Sequence, residues 1–154
     1  MKVFISYGAA ADQVTALRLQ ALGAVNGLTV YVPPAYTRQG PANLLDPDAR
    51  QKLDDADVVL GVVGAGLTEA CRQELNTGIS LRKHMIVMSH PAFVPLLQTP
   101  FGPNLVVIDP DNPAGAETGI VQYLKSIDAQ QNAKTALLAL GTLALGLLIL
   151  APSD

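Results

Sequence analysis

The sequence predicts an α/β domain built on a five-stranded parallel sheet with helices on both faces, followed by one C-terminal transmembrane helix. Three observations predict it. Short β-rich runs alternate with helical patterns from Met1 to about Asp128, the signature of a layered α/β fold. Val58 to Val63 (VVLGVV) is a continuous apolar run of strand length, as a strand buried on both faces requires. Thr135 to Ala151 reads TALLALGTLALGLLILA without a charge.

Lys2 to Tyr7 (KVFISY) is the first strand. Asp12 then stands as an N-cap, and Val14, Leu17, Leu19, Leu22 and Val25 fall near helical spacing until Asn26-Gly27. Leu28 to Val32 (LTVYV) is the second strand, stopped by Pro33-Pro34, with a polar loop to about Leu45. Asp46-Pro47 is an N-cap and first-turn proline opening a short helix to about Asp55. The third strand, Val58 to Val63, runs into the tight turn Gly64-Ala65-Gly66, and Thr68 caps a helix to about Arg82. His84 to Ser89 and Leu105 to Ile108 are the fourth and fifth strands. Ala116 to Asp128 is a last amphipathic helix, with Ile120, Val121, Leu124 and Ile127 on one side.

Five strands in this alternation favour the flavodoxin-like order 2-1-3-4-5, with right-handed crossovers. Its switch point lies between the first and third strands. Ligands then bind near Tyr7, Gly8, Gly64 and Gly66, at the C-terminal strand ends.

Residues 1–128 are expected to form the domain, 129–134 a linker and 135–151 the membrane helix. A helix over 135–151 rises about 25 Å, and spans begin near 17 residues for a hydrocarbon core of about 30 Å. Lys125 and Lys134 precede the span and no basic residue follows it, so the positive-inside rule keeps the domain cytoplasmic on a single-pass anchor in the lipid. MKVFISY carries no signal-peptide pattern. The alternative for the tail is a buried helix, against the domain or in an oligomer core.

The composition narrows the function. Of 154 residues only 15% are charged, and the net charge is −3, so nothing points to nucleic acid. One cysteine, Cys71, permits no intrachain disulfide and suits a reducing compartment. Two histidines and that cysteine offer little for a zinc site.

KVFISYG resembles the signature strand of the Toll/interleukin-1 receptor (TIR) family. Thr68 to Leu75 (TEACRQEL) resembles the family's Cys-x-x-Glu-Leu element on the helix after the third strand. The loop from Pro33 to Leu45, with Arg38, Gly40 and Pro41, stands where the family has its BB loop. The chain has no Trp, Ala70 replaces the Trp that often precedes the motif cysteine, and Arg38-Gln39-Gly40-Pro41 matches the BB loop in part. The resemblance covers about residues 1–127 and points to the bacterial members.

The resemblance implies NAD+ as substrate, no bound cofactor, and Glu74 as the catalytic residue of nicotinamide–ribose cleavage. That chemistry builds positive charge on the sugar, as glycoside hydrolysis does, and a fixed carboxylate stabilises it. Nicotinamide leaves neutral, so one carboxylate suffices. Around it, Ser6, Tyr7, Gly8, Gly64, Gly66, Thr68, Cys71, Tyr36 and Arg38 are the candidate substrate contacts. Loop and helix N–H groups near Gly64, Gly66 and Thr68 are placed to receive a phosphate. Tyr7 and Tyr36 offer stacking surfaces and Arg38 a phosphate contact. Each has a plainer reading: Cys71 as a buried small hydrophobe, Tyr7 as core, and Glu74 and Arg38 as solvated charges; Glu69, a possible second carboxylate, has its plainer reading in serving the helix dipole.

Similar bacterial proteins act in antiviral defence and assemble through their TIR domains, so the expected partners are further copies of this chain or another TIR or defence protein. Three other functions stay open: a non-catalytic TIR scaffold, a nucleoside deoxyribosyltransferase-like N-glycosidase, and a membrane effector acting through the tail.

Overall fold

The computed structural model of the chain describes residues 1–38 and 45–130. Gly40, Pro41 and the expected membrane helix 135–151 lie outside them. Strands β1 (Lys2–Tyr7), β2 (Thr29–Tyr31), β3 (Val58–Val63), β4 (His84–Ser89) and β5 (Leu105–Val107) alternate with helices α1 (Asp12–Val25), α2 (Pro47–Asp55), α3 (Glu69–Ser80), α4 (Val94–Phe101) and α5 (Pro113–Gln130). A 3₁₀ turn, Ala35–Arg38, follows β2. The sheet order is β2-β1-β3-β4-β5, and every pair is parallel. This is the flavodoxin-like order expected from the sequence, with the switch point between β1 and β3.

Alternation along the strands sorts the core into two layers. Val3, Ile5 and Tyr7 of β1 join Val58, Leu60 and Val62 of β3 under α1 and α5. Phe4, Val59, Val63 and Val87 pack under α2, α3 and α4. Ile120, Val121, Leu124 and Ile127 of α5 are all buried, as their spacing predicts. Each such aliphatic side chain contributes about 1.5–3 kcal/mol when fully buried.

Ser6 lies between Phe4 and Tyr7 on β1 and shares Phe4's parity. It therefore faces α3, and Tyr7 faces the other layer. Its register partner on β3 is Gly61. A Cβ there would stand 3.1 Å from Leu75 of α3 and 3.2 Å from Val87. Glycine at this point lets α3 lie close to the sheet.

Several expectations are corrected. Asp12 is not the cap of α1: Ala11 is, without a side-chain bond, and Asp12 is the first helical residue. Of the apolar positions expected along α1, only Leu19 faces the core. Val14, Leu17, Leu22 and Val25 are 58%, 47%, 39% and 86% exposed, and Asp12, Ala16, Leu19 and Gly23 are buried. Apolar residues lie all round this helix, so their period does not choose a face. Space does: a Cβ at Gly23 would stand 2.6 Å from Val30.

Helix α4 goes unpredicted because Pro95 and Pro100 lie inside its eight residues. Pro95 sits in the first turn, where no N–H is needed, and Leu97 and Phe101 bury one side. Helix α3 stops at Ser80, two residues short of Arg82, and β2 and β5 are shorter than expected. Helix α5 starts earlier, at Pro113, and takes in residues 129 and 130 of the expected linker. Among the described residues no helix is long and apolar enough to cross a membrane.

Candidate active site

The C-terminal ends of β1 and β3 meet the first turns of α3 and the 3₁₀ turn after β2. Cys71, Glu74, Leu75 and Gly78 form the inner face of α3, the i, i+3, i+4, i+7 pattern that packs a helix on a sheet. Glu74 stands in that pattern and is 3% exposed. The reading of Glu74 as a solvated charge is thereby excluded.

Its carboxylate is held from two sides. Ser6 Oγ donates to Oε1 at 2.7 Å, and Arg38 Nη1 donates to the same oxygen at 2.6 Å. Arg38 is itself 8% exposed in its side chain. Its other terminal nitrogen donates to the Tyr7 carbonyl, and its guanidinium carbon lies 4.0 Å over the Tyr7 ring centre. Arg38 is therefore neither solvated nor free for a phosphate in this arrangement. Burial pushes the Glu74 pKa above the ordinary 4.5, and the Arg38 charge and the Arg38 and Ser6 hydrogen bonds pull it part of the way back.

Tyr7 is not a stacking surface. It is 2% exposed, Arg38 covers its ring, and its hydroxyl donates to the Pro33 carbonyl at 2.8 Å. Tyr36 stands 77% exposed on the 3₁₀ turn that carries Arg38. Ser6 is fully buried and acts on Glu74 instead of facing a ligand.

Cys71 has the packing role its plainer reading gave. It is fully buried beside Ser6, with Ser6 Oγ 3.3 Å from its sulfur. Burial pushes the thiol up to about 12, so it is no nucleophile at neutral pH.

Thr68 caps α3 as expected, accepting from Cys71 N at 3.5 Å, and its hydroxyl donates to the Gly8 carbonyl at 3.0 Å. The expected phosphate cradle at Gly64 and Gly66 is corrected, because Asp12 already fills it. Asp12 Oδ1 accepts from Gly64 N at 3.1 Å and Ala65 N at 2.8 Å, and Oδ2 from Ala9 N at 3.0 Å. Burial raises the Asp12 pKa against the lowering effect of these bonds. No spacing in the sequence signals this role. An aspartate ahead of an apolar helix is written the same way whether it caps or braces.

Among the described residues no cluster of His, Cys, Asp and Glu could hold a metal.

No family model and no curated protein matches the chain. Among solved structures it is similar to a 2-deoxyribosyltransferase from the psychrotolerant bacterium Bacillus psychrosaccharolyticus. That likeness is 15% identity and a TM-score of 0.44, covering 58% of this chain and 72% of the other.

Proposed function

We propose that the chain is a TIR-type NAD+ glycohydrolase or cyclase of bacterial antiviral defence, activated by self-assembly and anchored to a membrane by residues 135–151. One observation supports it above the others. Glu74 occupies a core position of α3, where packing alone favours an aliphatic side chain, and the fold holds its carboxylate with Ser6 and Arg38. Burying a carboxylate costs several kcal/mol even when it is paired. Buried titratable groups with shifted pKa values recur at catalytic sites, and ligands of open α/β sheets bind at the switch point.

The bond from ribose C1′ to the nicotinamide nitrogen breaks, and its electron pair goes to nicotinamide, which leaves neutral. The Glu74 carboxylate stabilises the positive ribosyl centre. Water then adds to C1′ and gives its proton to Glu74 and on to solvent, leaving ADP-ribose. Capture of C1′ by an atom of the same molecule gives a cyclic product instead. For the ribose to reach Glu74, Arg38 has to leave Oε1. Tyr36, exposed on the same turn as Arg38, is the aromatic surface open to the substrate.

The test is nicotinamide release by the full chain in liposomes, wild type against Glu74→Gln. The expected result is NAD+ cleavage by the wild type and a loss of about 10³-fold or more in the variant, the scale of a missing transition-state charge. Equal rates, or none from either, sink the reading.

The scaffold reading has one observation in its favour. The Arg38–Glu74 pair is short and nearly sealed, as a purely structural ion pair would be. It gains if the wild type binds a second TIR protein and leaves NAD+ intact.

A further inference from the structure

The main-chain N–H groups beside the site already hold an anion, and that anion belongs to the chain. Ala9 N lies in the turn after β1, and Gly64 N and Ala65 N lie in the turn after β3. All three donate to the Asp12 carboxylate, at 3.0, 3.1 and 2.8 Å. Loop N–H groups converging in this way make the cradles that hold phosphates in nucleotide-binding turns. Here Asp12 fills the cradle and is 4% exposed.

The surroundings leave no slack. A Cβ on Gly64 would stand 2.8 Å from Asp12 Oδ1, and one on Gly8 would stand 1.7 Å from the Gly66 carbonyl oxygen. The two loops are therefore in direct contact, and the Asp12 carboxylate takes the place in front of their N–H groups. At the head of α3, Thr68 accepts from Cys71 N and donates to the Gly8 carbonyl. An incoming phosphate meets occupied donors and a buried like charge, which is unfavourable where water is excluded.

We propose that Asp12 determines specificity: it occupies the main-chain anion cradle and restricts recognition on this side of Glu74 to the uncharged base–ribose part of the substrate. The proposal rests on the N-glycosidase reading given above. The substrate class is a base–ribosyl compound whose phosphates, where it has them, lie outside the cradle. Nicotinamide riboside, which carries none, is then cleaved about as well as NAD+.

The experiment compares kcat/KM for nicotinamide release from NAD+ and from nicotinamide riboside. It uses the full chain in liposomes, as wild type and as Asp12→Ser, which empties the cradle and keeps a hydroxyl in the first turn of α1. The wild-type values should agree within about threefold. In Asp12→Ser the ratio should shift about tenfold or more towards NAD+, the worth of one hydrogen bond to a charged group. A wild type that prefers NAD+ by about tenfold or more, or an unchanged ratio in the variant, overturns the proposal.

Melting temperature in rising inorganic pyrophosphate gives an independent readout. Stabilisation of Asp12→Ser but not of the wild type supports the assignment, and equal responses overturn it. If the wild type cleaves neither substrate, the N-glycosidase reading fails and the pyrophosphate titration alone decides the role of Asp12. Should Asp12→Ser not fold, Asp12→Asn removes the charge, keeps an acceptor for Gly64 and Ala65, and turns an amide towards Ala9. It should shift the substrate ratio in the same direction by less, and no shift overturns the proposal.

Discussion

Glu74 titrates under opposed influences, and their balance has consequences that can be measured. Burial favours the neutral acid and raises its pKa above 4.5, with Arg38 pulling downward through its charge and its hydrogen bond. Catalysis needs the carboxylate, so the acid limb of kcat/KM for nicotinamide release should lie above pH 4.5. Removing the cation in Arg38→Gln should move that limb to still higher pH. The stability term has a matching sign. A carboxyl with a raised folded pKa binds its proton more tightly when folded, so its favourable contribution is complete below pH 4.5 and fades as pH rises through the folded pKa. Arg38→Gln also leaves the buried Glu74 charge without its counter-ion, which costs about 3–5 kcal/mol at neutral pH. That deficit should shrink in acid, where Glu74 takes up its proton. Urea titrations of wild type and variant at pH 4 and pH 7 check it, and a deficit independent of pH would show that Glu74 is not the group responsible.

At the scale of elements, α2 offers the cleanest test of local coding. Asp46 accepts from Asp48 N and Ala49 N, both at 3.1 Å, with Pro47 at the first helical position. Asp46→Ala should cost about 1 kcal/mol, within a range of about 0.5–2, read as a lower urea midpoint with an unchanged slope. This cap was legible because it is chemistry between near neighbours. The central strands were legible as short β-rich runs, β3 most plainly because burial on both faces demands an unbroken apolar run, and the sheet order followed from their alternation with helices. Helix α4 was hidden by prolines that its short length and first turn tolerate. The inner face of α1 was hidden because packing space at Gly23, not hydrophobicity, selects it. The site divides in the same way. Glu74 and Arg38 could be named from motif position, but their contact joins residues 36 apart in sequence. Asp12 reaches a loop N–H 52 positions further along the chain, and no local pattern records such a brace.

For the whole molecule, the membrane proposal makes a prediction that separates anchoring from assembly. Residues 135–151 carry no charge, and Leu143 stands at their centre. An Arg at the middle of a span costs about 2.5–3.5 kcal/mol, so Leu143→Arg should leave the floating fraction in liposome flotation where the wild type floats. Tethering confines the domains to a thin layer and raises their effective concentration without any new contact. If activity needs neighbouring copies, the rate per wild-type molecule should fall when lipid is added at constant protein, because the surface becomes dilute. The Leu143→Arg protein should be slow at every lipid ratio. A wild type that does not float removes the anchor from the proposal. One that floats and turns over NAD+ at a rate independent of surface density keeps the anchor and removes the need for assembly, so Arg38 would then have to leave Glu74 within a single chain.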